Sequence, residues 1–178
     1  MLDPGHGPRG SGFATDSKPA LDEAIYVWHF ATDLASVLAG DGHVCDLTRG
    51  LDERPSLDER ARLASDFRAE LAISLHVNAG GPLEHGPLAF HHARAPADVR
   101  DLCVAMLDRL GRGGEYVDGD RVCPMRRQVH ETRADRAHWT YRANNVLAPY
   151  VWRGDRAMLL ELEYGSHEPS RRWLFGDG

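Results

Sequence analysis

Apolar residues follow two different periods along this chain, and the order of these periods predicts an α/β fold. Mostly apolar runs at 71–75 and 157–163 are typical of strands that are covered on both faces. In the segments 20–39, 57–67 and 97–110, apolar residues recur at spacings of three and four, which predicts amphipathic helices. Strands that alternate with helices in this order are typical of a mainly parallel sheet.

Shorter segments complete the predicted sheet. The chain opens on a short strand that ends before Pro4, which lacks an N–H, and further strands are predicted at 43–48 and 87–92. Ser56 and, three residues later, Glu59 form a capping-box pattern that begins a helix. We therefore expect one α/β domain with a mixed, mainly parallel sheet of about six strands and helices on both faces.

The stretch from 112 to about 145 has no clear period and is rich in arginine. We predict loops there with one helix around 133–143, followed by a short helix end or strand at 146–152. A long excursion within a domain is typical of a lid or a substrate-binding insertion, and equally of a surface subdomain without a role in the site. Residues 1–178 are thus predicted to be a single domain with a polar insertion whose role is left open.

Composition excludes several classes of protein. A net charge of -6 argues against a nucleic-acid binder, which carries a basic face. No apolar run approaches the roughly 20 residues of a membrane span, so we expect no membrane insertion. Met1 leads directly into the first strand, so we expect no signal peptide in this chain. Cys45, Cys103 and Cys123 lack C-x-x-C spacing, which argues against a disulfide framework or a cysteine zinc site.

Two histidines stand where predicted strands run into glycine-rich turns, which is where open α/β sheets place their sites. His6 follows the first strand and His76 follows the run at 71–75. Glu23 lies four residues before Val27, on the apolar stripe of the first helix, where a charge is costly unless it is paired or bound to a cation. Each has a plainer alternative, a turn histidine or a solvated first-turn glutamate. Together, two imidazoles and one carboxylate match the composition of a catalytic zinc site.

The last predicted strand carries two further carboxylates near its end. Glu161 and Glu163 are two residues apart, so a regular strand places both on one face and the period does not separate them. A glutamate beside a zinc site can act as the general base for an attacking water. Either residue can equally be a solvated edge residue.

The ordered motifs resemble those of the zinc-dependent N-acetylmuramoyl-L-alanine amidases of the type-3 family, found in bacterial autolysins and phage endolysins. The DPGHG turn of the family matches residues 3–7, its LTR tripeptide matches 47–49, and its S-L-H-x-N-A segment matches 74–79. A late V-E-x-G-[FY] strand is matched by 162–165, although Ser166 stands where the family usually has an aromatic residue.

This resemblance implies roles for individual residues. His6, Glu23 and His76 would bind one zinc ion per chain, and Glu163 would be the catalytic base. We leave substrate-binding residues unassigned, with Asn78 and Glu161 as candidates.

The implied activity is cleavage of the amide between N-acetylmuramic acid and L-alanine in peptidoglycan, by a protein that we expect to be a monomer. Two alternatives stay open: a zinc peptidase that acts on peptidoglycan stem peptides, and a module that binds cell wall without cutting it. A phage-type endolysin made in the cytoplasm and released, or the catalytic domain of a secreted autolysin, would both suit a chain without a visible signal peptide.

Overall fold

The structure is a computed structural model that describes residues 1–8, 14–15, 21–81, 84–110, 116–118, 121–123, 128–137 and 140–175. The strands in these ranges are β1 (Leu2–Pro4), β2 (Ala14–Thr15), β3 (Leu21–Asp22), β4 (Ala72–Asn78), β5 (Leu88–His92), β6 (Tyr116–Asp118), β7 (Arg121–Cys123), β8 (Gln128–Thr132) and β9 (Ala157–Tyr164). The helices are α1 (Glu23–Gly40), α2 (Leu57–Asp66), α3 (Ala97–Leu110), α4 (Tyr141–Trp152) and α5 (Glu168–Phe175).

Five of the strands form the central sheet, in the order β1-β4-β9-β5-β8. The pairs β1–β4, β4–β9 and β5–β8 are parallel, and only β5–β9 is antiparallel. The prediction of a mixed, mainly parallel sheet is therefore confirmed. In the described residues, β2–β3 and β6–β7 form two small antiparallel sheets of two strands each.

Helices cover the central sheet on both faces, as predicted. One buried cluster joins α1 and α3 to one face of the sheet; its members include Val27, Ala31, Leu75, Val99 and Leu160. A second cluster joins α2 and α4 to the opposite face; its members include Ala61, Leu88, Leu147, Tyr150 and Leu159. Leu159 and Leu160 are neighbours in β9 and enter opposite clusters, as strand alternation requires.

Local caps explain where two of these helices begin. Asp22 caps α1 by accepting hydrogen bonds from the N–H groups of Ala24 and Ile25. Ser56 caps α2 and forms the predicted capping box with Glu59. These caps fix the directions in which α1 and α2 leave the turns beside the site.

The central sheet has five strands, where about six were predicted. The predicted strand at 43–48 does not form, whereas β8 joins the sheet without having been predicted. This segment makes only an isolated bridge to β1, at Leu47, with backbone hydrogen bonds from Leu2 to Asp46 and from Thr48 to Leu2. Val44 is 82% exposed. The apolar side chain that indicated a strand therefore has nothing to pack on.

The polar stretch 112–145 contributes more to the fold than its composition indicates. Its described part includes β8, which forms the edge of the central sheet by pairing with β5. The helix predicted around 133–143 begins only at Tyr141 and continues through 146–152 as α4. In the part of the chain that the structure describes, no helix is long and apolar enough to cross a membrane.

Candidate metal centre and the cavity around it

The structure brings three side chains from β4, α1 and the turn after β1 to one point. His6 Nε2 and His76 Nδ1 each lie 3.1 Å from Oε1 of Glu23. The ligand atoms of the three residues all lie within 4.8 Å of one another, and they are the one such group among the described residues. The predicted convergence of these residues is what the structure shows.

Glu23 is held in its charged form at this point. Burial alone would raise the pKa of its carboxyl, but hydrogen bonds and charge from His6 and His76 outweigh burial and hold the pKa far below its usual range. The same oxygen accepts a hydrogen bond from the N–H of Val77 at 3.0 Å. A buried carboxylate facing two imidazoles is a donor set that fits zinc.

His6 owes its position to a backbone conformation that L-residues rarely adopt. Its φ is 58°, in the left-handed region. Two buried arginines hold the carbonyl groups of the turn: Arg49 donates to the oxygens of Pro4 (2.9 Å) and Gly5 (3.0 Å), and Arg60 donates to those of Pro4 (2.6 Å) and His6. The carbonyl groups of Pro4, Gly5 and His6 are thus paired, which offsets the cost of the conformation.

Asp3 anchors the strand that leads into this turn. Its fully buried carboxylate accepts hydrogen bonds from Thr48 (2.5 Å), Ser74 (2.8 Å) and Arg60 (2.8 Å). Burial would raise the pKa of Asp3, but the charge of Arg60 and these three hydrogen bonds hold the pKa below its usual range. The first residue of the DPGHG motif is therefore structural, and Arg60 connects it directly to His6.

Gly5 is required because the ring of His76 lies against it. A Cβ at this position would lie 2.6 Å from Nδ1 and 2.7 Å from Nε2 of His76. Real Cβ atoms essentially never approach that closely. The glycine that precedes His6 in the turn therefore makes room for the second histidine.

A cavity of about 750 Å³ opens onto the three side chains. Its lining also includes the two substrate-binding candidates, Asn78 and Glu161. A second cavity of about 580 Å³ shares His6, His76, Arg142 and Val146 with the first. The histidines thus stand where two clefts meet.

The two late glutamates, which the sequence did not separate, lie in different surroundings. Glu161 pairs with His76 across the parallel strands β4 and β9, so both side chains lie on the same face. The register then shifts: Asn78 pairs with Tyr164, so that two residues on β4 are matched by three on β9. This bulge makes Tyr164, and not Glu163, the next residue of β9 that lines the cavity.

Glu163 is fully buried beside the bulge instead. Its Oε1 accepts hydrogen bonds from the N–H groups of Tyr164 (2.9 Å) and Gly86. It is not among the residues that line either cavity. The cavity that contains the three ligands is thus lined by Glu161 and not by Glu163, the residue that the resemblance implies as the base.

Glu161 has the surroundings of a proton-transfer group. Burial raises its pKa to about 7, with a further contribution from the charge of Glu23 and an opposing one from His76. Its Oε2 is buried without a hydrogen-bond partner among the described residues. A carboxylate at the cavity whose Oε2 makes no hydrogen bond is suited to accept a proton.

The fold matches those of solved N-acetylmuramoyl-L-alanine amidases. The amidase from Clostridium difficile 630 has a TM-score of 0.73 at 20% identity, over 99% of this chain and 84% of that chain. The catalytic domain of CwlV from Bacillus (Paenibacillus) polymyxa var. colistinus has a TM-score of 0.70 at 18% identity, over 99% and 86%. AmiC2 of Nostoc punctiforme has a TM-score of 0.71 at 16% identity, over 97% and 83%. No curated protein sequence matches this chain.

The sequence itself places the chain among these enzymes. It belongs to the N-acetylmuramoyl-L-alanine amidase family, whose model matches residues 1–175. The protein is therefore a hydrolase of peptidoglycan that acts on the cell wall.

Sequence reasoning missed several residues of the site. Tyr164 reaches the cavity only because of the bulge in β9, and no hydrophobic period signals a bulge. Arg142 lies in a stretch without a clear period, yet it lines both cavities from the first turn of α4. Ser166 has a structural role: its hydroxyl accepts a hydrogen bond from the N–H of Gly80 at 2.9 Å, which ties the turn after β4 to the end of β9.

Proposed function

We propose that the protein is a zinc-dependent amidase in which His6, Glu23 and His76 hold one zinc ion and Glu161 is the general base. The observation that carries this proposal is the pairing of Glu161 with His76 on one face of the sheet, at the cavity that contains all three ligands. Three protein ligands leave a position open for water or substrate, as in catalytic zinc sites. When bound, zinc polarises the scissile carbonyl and lowers the pKa of a water molecule toward ~7.

Glu161 moves the protons of the reaction. Its unpaired Oε2 accepts a proton from the water that attacks the amide carbonyl between N-acetylmuramic acid and L-alanine. The protonated carboxyl then donates to the L-alanine nitrogen, which leaves as an amine. A pKa near neutrality suits both halves of this cycle, because the group must first accept and then release one proton.

Glu163, the base expected from the resemblance, is assigned a structural role in this proposal. By accepting from the N–H groups of Tyr164 and Gly86, its carboxylate joins the bulge in β9 to the turn before β5. Through these contacts Glu163 holds in place the bulge that presents Tyr164 to the first cavity.

The two alternative functions receive less support. A zinc peptidase acting on stem peptides would use the same three ligands and the same base, so only the cleaved bond separates it from the amidase. A module that binds cell wall without cutting it has no use for three converging metal ligands with a carboxylate on the same cavity.

We propose further that residues 1–178 form one catalytic domain that works as a monomer, within a phage-type endolysin or a secreted autolysin.

The test compares Glu161→Gln with Glu163→Gln, a matched pair of isosteric changes two residues apart. We expect Glu161→Gln to keep bound zinc and to lose about 10²–10⁴ in rate, as removal of a general base does. Glu163→Gln should retain activity within about tenfold, because its loss perturbs the cavity wall only. Zinc content and mass spectrometry of released muropeptides measure both, and an amidase frees peptides that begin with L-alanine.

Chelation of the wild-type protein serves as the control for zinc. It should abolish muropeptide release while leaving the far-UV circular dichroism unchanged, since the ligands stand on elements that a full core already packs. An inactive Glu163→Gln together with an active Glu161→Gln would overturn the assignment of the base. Full activity after verified removal of zinc would overturn the metal mechanism.

A further inference from the structure

The second cavity presents two arginine side chains that have no assigned role. Arg54 and Arg142 both line it, beside His6 and His76. Both are exposed, and neither has a hydrogen bond or an ion pair with any residue in the part of the chain that the structure describes. Their charges are therefore available to a ligand in this cavity.

Each arginine is placed by the same elements that build the metal centre. The stem of Arg54 lies against the turn that carries His6: a Cβ at Gly7 would lie 2.9 Å from Cγ of Arg54. Arg142 lies in the first turn of α4 and lines both cavities. The two side chains thus line one cleft together with His6 and His76.

The two cavities differ in charge. The first is lined by the carboxylates of Glu23, Glu84 and Glu161. The one carboxylate among the described lining residues of the second is Asp3, which is fully buried and paired with Arg60. In a chain with a net charge of -6, the second cavity is a local positive region. An anionic part of the substrate is favoured in this second cavity.

We propose that the second cavity is a subsite for the stem peptide and that Arg54 and Arg142 bind the α-carboxylate of its second residue, D-isoglutamate. This inference rests on the proposed function, which places the amide nitrogen of L-alanine beside His6 and His76. The next residue follows one residue spacing, about 3.5 Å, further along the peptide. Guanidinium groups bind carboxylates through charge-assisted, often bidentate hydrogen bonds. The protein should therefore distinguish stems with a free α-carboxylate from stems in which this group is amidated.

The experiment uses two substrates that differ only at this group. They are N-acetylmuramoyl-L-alanyl-D-isoglutamate and its isoglutamine counterpart, each with the γ-carboxyl blocked as a methylamide. We expect the zinc-loaded wild-type protein to prefer the carboxylate, with a ratio of kcat/KM of about ten, the size of one charge-assisted interaction at a partly exposed site.

Arg54→Gln and Arg142→Gln should each lower this ratio about threefold, because the amidated substrate lacks the charge with which the guanidinium groups pair. Arg153→Gln is the matched control. Arg153 is also exposed and follows the other end of α4, but it lies outside both cavities, near Asp58. It should leave the ratio at its wild-type value. A uniform loss on both substrates in the two cavity variants would indicate a purely structural role and would overturn the proposal.

A binding measurement separates this proposal from the proposed function. Calorimetry with the zinc-loaded Glu161→Gln protein measures the affinity for both intact ligands without cleavage. The subsite is supported if the carboxylate ligand binds more tightly than the amidated ligand and if adding Arg142→Gln abolishes this difference. This result would support the subsite even if the wild-type protein cleaved neither substrate, an outcome that would refute the amidase. Equal affinities for the two ligands would overturn the subsite, whatever the activity.

Discussion

Arg60 offers the sharpest test of how the histidine turn is built, through the change Arg60→Met. The side chain is 4% exposed, and its guanidinium donates to Asp3, to the carbonyls of Pro4 and His6, and, at 3.2 Å, to that of Pro55. Methionine keeps much of the stem and removes every one of these donors. The charge of Asp3 then stays buried with only the hydroxyls of Thr48 and Ser74 as described donors.

Removing one partner of a buried ion pair typically costs about 3–5 kcal/mol of the free energy of unfolding. For a domain of this size, about 2–4 °C per kcal/mol converts this to a fall in Tm of about 6–20 °C. Urea denaturation followed by circular dichroism measures the loss directly. Because His6 loses a carbonyl partner, the affinity for zinc should fall as well.

Arg62→Met is the matched control in the same helix. Arg62 pairs with Asp66 at 2.8 Å, but both side chains are more than half exposed, and such pairs are worth about 0.3–0.5 kcal/mol. The double variant Asp3→Asn with Arg60→Met should be less destabilised than the sum of the two single variants, since the unpaired charge is gone. An Arg60→Met protein within about 1 kcal/mol of the Arg62→Met protein would refute the reasoning.

Two further predictions concern the metal centre and its base. Gly5→Ala should lower the affinity for zinc by at least about tenfold, because the new Cβ displaces the ring of His76. Gly40→Ala is the control, since a Cβ there meets nothing within 4 Å. A metal titration in which the Gly5→Ala protein binds zinc with wild-type affinity would contradict this prediction. Amidase activity should rise with pH along an acidic limb, because Glu161 must be ionised to accept a proton and burial raises its pKa to about 7. Bound zinc favours the ionised form of Glu161, so the pH at which kcat/KM reaches half its maximum should lie below 7. A value of kcat/KM that stays flat or falls from about pH 5 to pH 7 would contradict this prediction.

The residues that the sequence placed correctly are those whose position follows from local rules. The spacing of apolar residues predicts two strand ends, at His6 and His76, and a helix stripe that contains Glu23. The structure brings these three side chains together. The range predicted for α3, 97–110, is confirmed, because that helix has an unbroken apolar stripe.

The features that the sequence did not foresee depend on contacts between distant segments. Glu161 and Glu163 lie in different surroundings because β9 carries one extra residue opposite β4, which is a property of the pair of strands and not of β9 alone. The segment 43–48 has the composition of a strand but only one bridge to β1. Strand β8 looked like a loop because an edge strand needs little apolar character.

The division of the core into two clusters has a practical consequence for engineering this enzyme. No residue of α3 is among the described residues that line either cavity, and α3 packs with α1 on the face of the sheet opposite α2 and α4. Its outer surface includes Val104, which is 45% exposed. Changes there can improve solubility, or attach the enzyme to a carrier, without reaching the groups that cut the cell wall.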